Sequence, residues 1–142
     1  MTPDALFLPL NLLSVAAWLL LIIWPGRAWV TDWVAGRLVP GLFAVAYVAI
    51  LVTSFAGSEG SFTTLAGVAA LFRNPWLLLA GWLHYLAFDL LIGCWEARDA
   101  QSRGVPQLLL IPCLGLTLMF GPAGWLAYLA VRQAGRRHSG TR

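Results

Sequence analysis

Charge is what this chain has least of. Only 11% of its 142 residues are charged, against about a quarter in a soluble globular domain, so it has too little charge to cover a water-facing surface. It contains no lysine, and nine arginines stand against six acids for a formal charge of +3. Those arginines sit singly or in pairs at the ends of apolar blocks, where snorkelling to headgroups accounts for them. A basic stripe with interleaved aromatics is missing, which argues against a nucleic-acid partner. The only histidines are His84 and His138, too few for a polyhistidine metal centre within one subunit. Cys94 and Cys113 have neither a CxxC nor a zinc-ligand spacing and read as small buried apolar residues. No metal is therefore expected. A glycine-rich phosphate loop, a GxSxG elbow and an HExxH pair are absent too.

What is present is apolar. Hydrophobic residues make up 60% of the chain and are grouped in blocks long enough to cross a bilayer. The fold class expected is all-α: a polytopic membrane helical bundle forming one domain over 1–142, with about four transmembrane helices and one short interfacial or re-entrant segment. The first span is 5–24, which matches the hydrocarbon thickness at about 1.5 Å per residue. It lacks the basic start of a cleavable signal peptide and reads as a retained helix. Trp24, Pro25, Gly26, Arg27 and Trp29 then mark a headgroup interface. Asp32 to Val39 reads as a short surface helix. The second span is 39–56, with Pro40 in its first turn and Tyr47 as the one strongly polar side chain near its middle. Residues 57–73 are too short to span yet too apolar for a free loop, which gives the interfacial or re-entrant segment.

The third span, 75–95, carries the chemistry. His84 and Asp89 lie inside it, and an aspartate at the centre of a membrane helix costs about 2.5–3.5 kcal/mol, so a partner, a cavity or a task is the default explanation. At about 100 degrees per residue, Gly81, Trp82, His84, Tyr85, Phe88, Asp89, Trp95, Glu96 and Asp99 share one polar and aromatic arc. Leu79, Leu83, Leu86, Leu90 and Cys94 fall on the other arc, suited to lipid or apolar packing. His84 and Asp89 are about 140 degrees apart, too far to bond along one helix, but both are expected to border a pocket centred near Tyr85. Glu96 and Asp99 approach the far end of the span, with Arg98 and Arg103 placed to neutralise them.

The fourth apolar region, 105–131, is interrupted by Pro112, Gly115 and the turn Gly121-Pro122-Ala123-Gly124. A straight helix of that length would be about 40 Å long, so a kinked or broken span is expected, with Gln107, Thr117 and opened backbone completing the pocket. Arg132, Arg136, Arg137 and His138 form a basic tail suited to anionic headgroups. Four crossings would put both termini on one side, taken as cytoplasmic.

Two stretches carry a resemblance. AGVAALFRNPWLLLAGWLHYLAFDLLIGCWEARDA, followed by PCLGLTLMFGPAGWLAYLAVR, resembles the abscisic-acid-deficient-4-like family, most specifically in the GWLHYLAFDL core and in LTLMFGPxG. The likeness covers about Phe43 to Arg132. Gly81, Trp82, His84, Tyr85, Phe88, Asp89, Asp99 and the segment from Phe120 to Pro122 stand where the family pattern has them.

The resemblance implies an integral membrane protein of carotenoid metabolism, neoxanthin synthase-like, in which a 5,6-epoxide opens and an allene forms. That conversion is an isomerisation, so no cofactor is expected. An imidazole exchanges its proton near neutrality, which suggests His84 as base, Asp89 as acid and Tyr85 as the group that orients the oxygen. Tyr47, Gly81, Trp82, Phe88, Trp95, Glu96, Asp99, Thr117 and Phe120 are the expected substrate-binding residues. The expected partners are a long apolar isoprenoid or carotenoid ligand, membrane lipids, and a carotenoid-pathway enzyme or a second copy of the chain. A bacterial inner membrane is the expected location rather than a plastid membrane. Two alternatives stand beside the isomerase: a noncatalytic carotenoid- or lipid-binding factor supporting another enzyme, and a small transporter.

Overall fold

The computed structural model describes the backbone of residues 2–139 and side chains through residue 134. The basic tail residues Arg136, Arg137 and His138 fall outside the described side chains. Every regular element among the described residues is helical. Helix α1, Pro3–Ile23, starts on Thr2, whose side chain accepts the Ala5 N–H at 3.4 Å, and has a proline at its first position where no backbone donor is lost. It stops at Trp24 and Pro25.

The chain then re-enters as a π-helical segment, Trp29–Leu38, that runs without interruption into α2, Val39–Ser54. The short surface helix expected from Asp32 to Val39 is thus no separate element: Trp29–Ser54 is one rod of 26 residues. Pro40 stands at the junction, where the change of helical register coincides with its missing N–H. Arg98 fastens the wide turn from across the bundle, donating to the Thr31 carbonyl at 2.9 Å and to Asp32 at 3.1 Å. Sequence reading paired Arg98 with the acids of its own helix; the structure gives it Asp32 instead.

Thr64 caps the seven-residue helix α3, Leu65–Leu71, by accepting the Gly67 N–H at 3.0 Å. Asn74 does the same for α4, Pro75–Ser102, by accepting the Trp76 N–H at 2.9 Å. Helix α4 has 28 residues and continues well past the expected end at 95. Leu79, Leu83, Leu86, Leu90 and Cys94 are buried in one core with Trp18, Phe43 and Ile50. The leucine arc therefore packs against protein. The arc with Trp82 and Phe88 is the open one, at 39% and 55% exposure.

Among the described residues three helices are long and apolar enough to cross a membrane: Pro3–Ile23, Trp29–Ser54 and Pro75–Ser102. The fourth region, expected as a kinked or broken span, is broken at Gly121 into a hairpin of α5, Gln107–Phe120, and α6, Pro122–Ser139. Its turn is Gly121 at φ +45°, a conformation that L side chains rarely adopt. The direction of return follows from contacts with α4. Gly121 lies against Asp89, Tyr128 donates to Asp99 at 2.7 Å, and Arg132 reaches Asp99 at 3.5 Å. Both series ascend together, so α6 runs parallel to the second half of α4 and back along α5. A Cβ on Gly124 would collide with the backbone N of Thr117, so the two legs touch closely just after the turn. As a result Pro3 sits beside Pro75 and Arg132 beside Asp99, at opposite ends of α4, where four crossings would have placed both at one end.

Candidate functional site

Helix α4 presents two different environments around its open arc. On one side, α2 and the α3 connection close against it and leave a cavity of about 290 Å³ lined by Tyr47, Phe55, Phe62, Phe72, Gly81 and His84, among others. Each wall has a local cause. Gly81 has no side chain, and the Phe72 ring occupies the space a Cβ would need, 2.8 Å from its ideal position. Phe55 and Phe62 stack at 5.7 Å across the loop that follows α2. His84 lies between two rings, Phe88 at 4.6 Å and Tyr47 at 5.7 Å. Among the described residues neither imidazole nitrogen has a hydrogen-bonding partner, and His84 is the one histidine or acid in the lining. A long apolar molecule fits such walls, and an oxygen on it would find one imidazole and one phenol hydroxyl.

The second environment is the side of α4 that meets α1 and the hairpin. Trp82 donates to Asn11 at 3.0 Å, Asn11 donates back to the Phe7 carbonyl at 2.7 Å, and the Phe7 ring lies 6.0 Å from Trp82. Tyr85 stacks on Trp82 at 5.4 Å. One turn further along, Asp89 is half-buried against Gly121, and its Oδ2 is shielded from solvent with no partner among the described residues. Phe120, before the turn, is 63% exposed.

The common pocket expected for His84 and Asp89 is not what the lining shows: His84 borders the α2–α3–α4 cavity, while Asp89 sits under the hairpin turn. Helical geometry is the reason, since two residues about 140 degrees apart are divided by whatever packs between them. Tyr47, Gly81 and Phe88 join His84. Trp82 and Tyr85 join Asp89.

Toward the other end, the hairpin covers the arc. Glu96 and Thr117 have no exposed surface, and the Thr117 hydroxyl donates to both carboxylate oxygens, at 2.9 and 3.2 Å. Both were expected to contact substrate; the structure places them inside the helix packing instead. Trp95 meets Tyr128 edge-on at 5.7 Å, with the Arg132 guanidinium 5.8 Å from its ring. Asp99 accepts from Arg103 at 2.8 Å and from Tyr128, which makes it the centre of a charged cluster joining α4 to α6. Phe62 and Phe72 were missed as lining residues. Their signal was present in a segment too apolar to be a free loop.

No group of three or more histidine, cysteine or acidic side chains able to hold a metal occurs among the described residues. No curated protein and no solved structure matches the chain. The pattern of the family described as ABA DEFICIENT 4-like matches residues 5–128. That match takes in α1, α2, the α3 connection, α4 and the hairpin turn, so both environments of α4 lie within it, and the chain belongs to the ABA DEFICIENT 4-like family.

Proposed function

We propose that the chain binds an oxygenated carotenoid in the α2–α3–α4 cavity and isomerises its epoxide end group to an allene. The observation that carries the reading is His84, a hydrogen-bonding group without a partner among the described residues, set beside aromatic rings in an apolar cavity. An unsatisfied polar group is costly at lipid depth, and a ligand oxygen relieves that cost. Family membership and the membrane-crossing helices support the carotenoid setting. The proposed location is a bacterial inner membrane.

In the proposed step, the C–O bond of the epoxide breaks and its oxygen gains a proton to become a hydroxyl. A proton leaves the neighbouring polyene carbon, and the electron pair of that C–H bond completes the allene. Atoms and electrons balance without oxidant or reductant. His84 is assigned the removal of the carbon-bound proton. Tyr47, which lines the same cavity, is assigned the donation of the proton to the oxygen in place of Asp89. Asp89 and Tyr85 are assigned to the neighbouring face, where Asp89 lies against Gly121 of the hairpin turn and Tyr85 stacks on Trp82.

The test is expression of the full chain in cells that make epoxycarotenoids, with products followed by chromatography and folding followed by thermal unfolding in detergent. General acid–base catalysis contributes about 10²–10⁴-fold, so H84A is expected to lower conversion by at least that lower bound while D89N retains measurable conversion. Wild-type conversion by folded H84A would overturn the assignment. A second reading is favoured by the cavity lining, which sets no carboxylate beside His84 among the described residues. On that reading the protein holds pigment for a partner enzyme, and the wild type retains pigment stoichiometrically yet converts none.

A further inference from the structure

We infer that a second groove, on the outer face of the Trp29–Ser54 rod, is a binding site for an anionic phospholipid. The groove is a cavity of about 540 Å³ lined by Trp33, Arg37, Leu38, Gly41, Leu42 and Val45, with Val34 at its back. Those positions recur every three to four residues, so they form one stripe along the rod. Trp33, Leu38 and Val45 are all more than 60% exposed, and an ideal Cβ on Gly41 would meet nothing within 4 Å. A glycine in the middle of a bulky stripe leaves a notch, whereas an even lipid-facing surface would be convex.

Charge selects the occupant. Arg37 lies over the Trp33 ring at 5.0 Å and makes no ion pair among the described residues. Of the other arginines at that end of the bundle, Arg98 pairs with Asp32, Arg103 and Arg132 share Asp99, and Arg27, also without an ion pair among the described residues, is not part of the groove lining. An arginine this far along a membrane-crossing rod must send its head toward the interface. A phosphate diester there matches the planar fork of the guanidinium. The acyl chain then lies in the stripe from Leu38 to Val45, one to two turns deeper. The groove thus has a cationic mouth and an apolar floor in the order that a phospholipid presents them.

The test is native mass spectrometry of the full chain released from nanodiscs made with phosphatidylglycerol or with phosphatidylcholine of the same acyl chains. A juxtamembrane arginine contributes about a five- to tenfold preference for anionic lipid. Wild type is expected to keep phosphatidylglycerol over phosphatidylcholine by that factor. R37Q is expected to lose the preference, R37K to recover part of it, and R27Q to leave it unchanged. G41L, which fills the notch without touching the charge, is expected to lower retention of the lipid with thermal unfolding unaltered. Equal retention of the two lipids by the wild type, or equal phosphatidylglycerol retention by R37Q, would overturn the site. So would a dimer peak abolished by G41L with lipid retention intact, since that assigns the face to a second copy.

Discussion

Glu96 has no exposed surface, and its described hydrogen bonds come from one hydroxyl. A buried carboxyl served by a single donor is an asymmetric arrangement: removing the donor leaves the acceptors uncompensated, whereas removing both partners takes the cost away with the gain. T117V is therefore expected to destabilise the bundle by about 1–3 kcal/mol. The double variant E96M/T117V is expected to recover most of that loss, and the pair should be strongly non-additive. Unfolding in mixed micelles, followed by intrinsic tryptophan fluorescence, checks both. Additive losses in the double variant would mean that the carboxyl has another donor. The same comparison shows why Glu96 misled a reading by spacing: its position on the arc marked it correctly as facing something polar, but a helical wheel does not tell a ligand from a threonine on the next helix.

At the scale of elements, local punctuation was legible and tertiary direction was not. Pro122 after Gly121 announces a break by its own backbone chemistry, whichever way the chain goes next. Whether α6 continues across the bilayer or turns back depends on the contact of Gly124 with Thr117 and on the Asp99 cluster, whose partners Tyr128 and Arg132 lie far from it in sequence. The face of α4 shows a similar limit. Its division into a leucine arc and a polar, aromatic arc is plain in the periodicity, but a bilayer is as apolar as a core, so hydrophobicity does not say which arc points inward. Here the leucines do. The hairpin turn supplies a direct test. An alanine at Gly121 would have to hold φ +45° and would bring its Cβ to 2.8 Å from the Asp89 Oδ1. Strained backbone of this kind costs about 1–3 kcal/mol, so G121A is expected to lower the unfolding midpoint and D89A/G121A to restore only the part due to collision. G115A, inside α5 with open space around it, is the control, and it is expected to be neutral or to stabilise by up to about 1 kcal/mol. If G121A unfolds like the wild type, the hairpin does not close through this turn.

For the whole molecule, the hairpin changes the charge balance across the membrane. With four crossings the arginines divide almost evenly, and orientation has no driving bias. If the three long apolar helices cross and the hairpin returns, Arg27, Arg37, Arg98, Arg103 and Arg132 lie toward the end of the bundle where α4 finishes, and among the described residues Arg73 is the one arginine at the other. Short-loop arginines are retained in the cytoplasm, so that end is expected to be cytoplasmic and the start of α1 to face the opposite side. This revises the expectation of two cytoplasmic termini. Because Cys94 and Cys113 are buried, single cysteines can report the sides in a background with both replaced by serine. In intact bacterial cells, a membrane-impermeant thiol reagent is expected to label Glu59→Cys, in the connection after α2, and to spare Ser102→Cys at the end of α4 until the cells are opened. Labelling of Ser102→Cys alone in intact cells would invert the protein. Labelling of both before lysis would mean that α4 does not cross. The first pattern has a consequence for the Arg37 groove, since it puts the cationic mouth in the cytoplasmic leaflet, where anionic lipid is concentrated. Orientation and lipid preference then have one cause, the gathering of arginines, Arg37 without an ion pair among them, at a single end of the bundle.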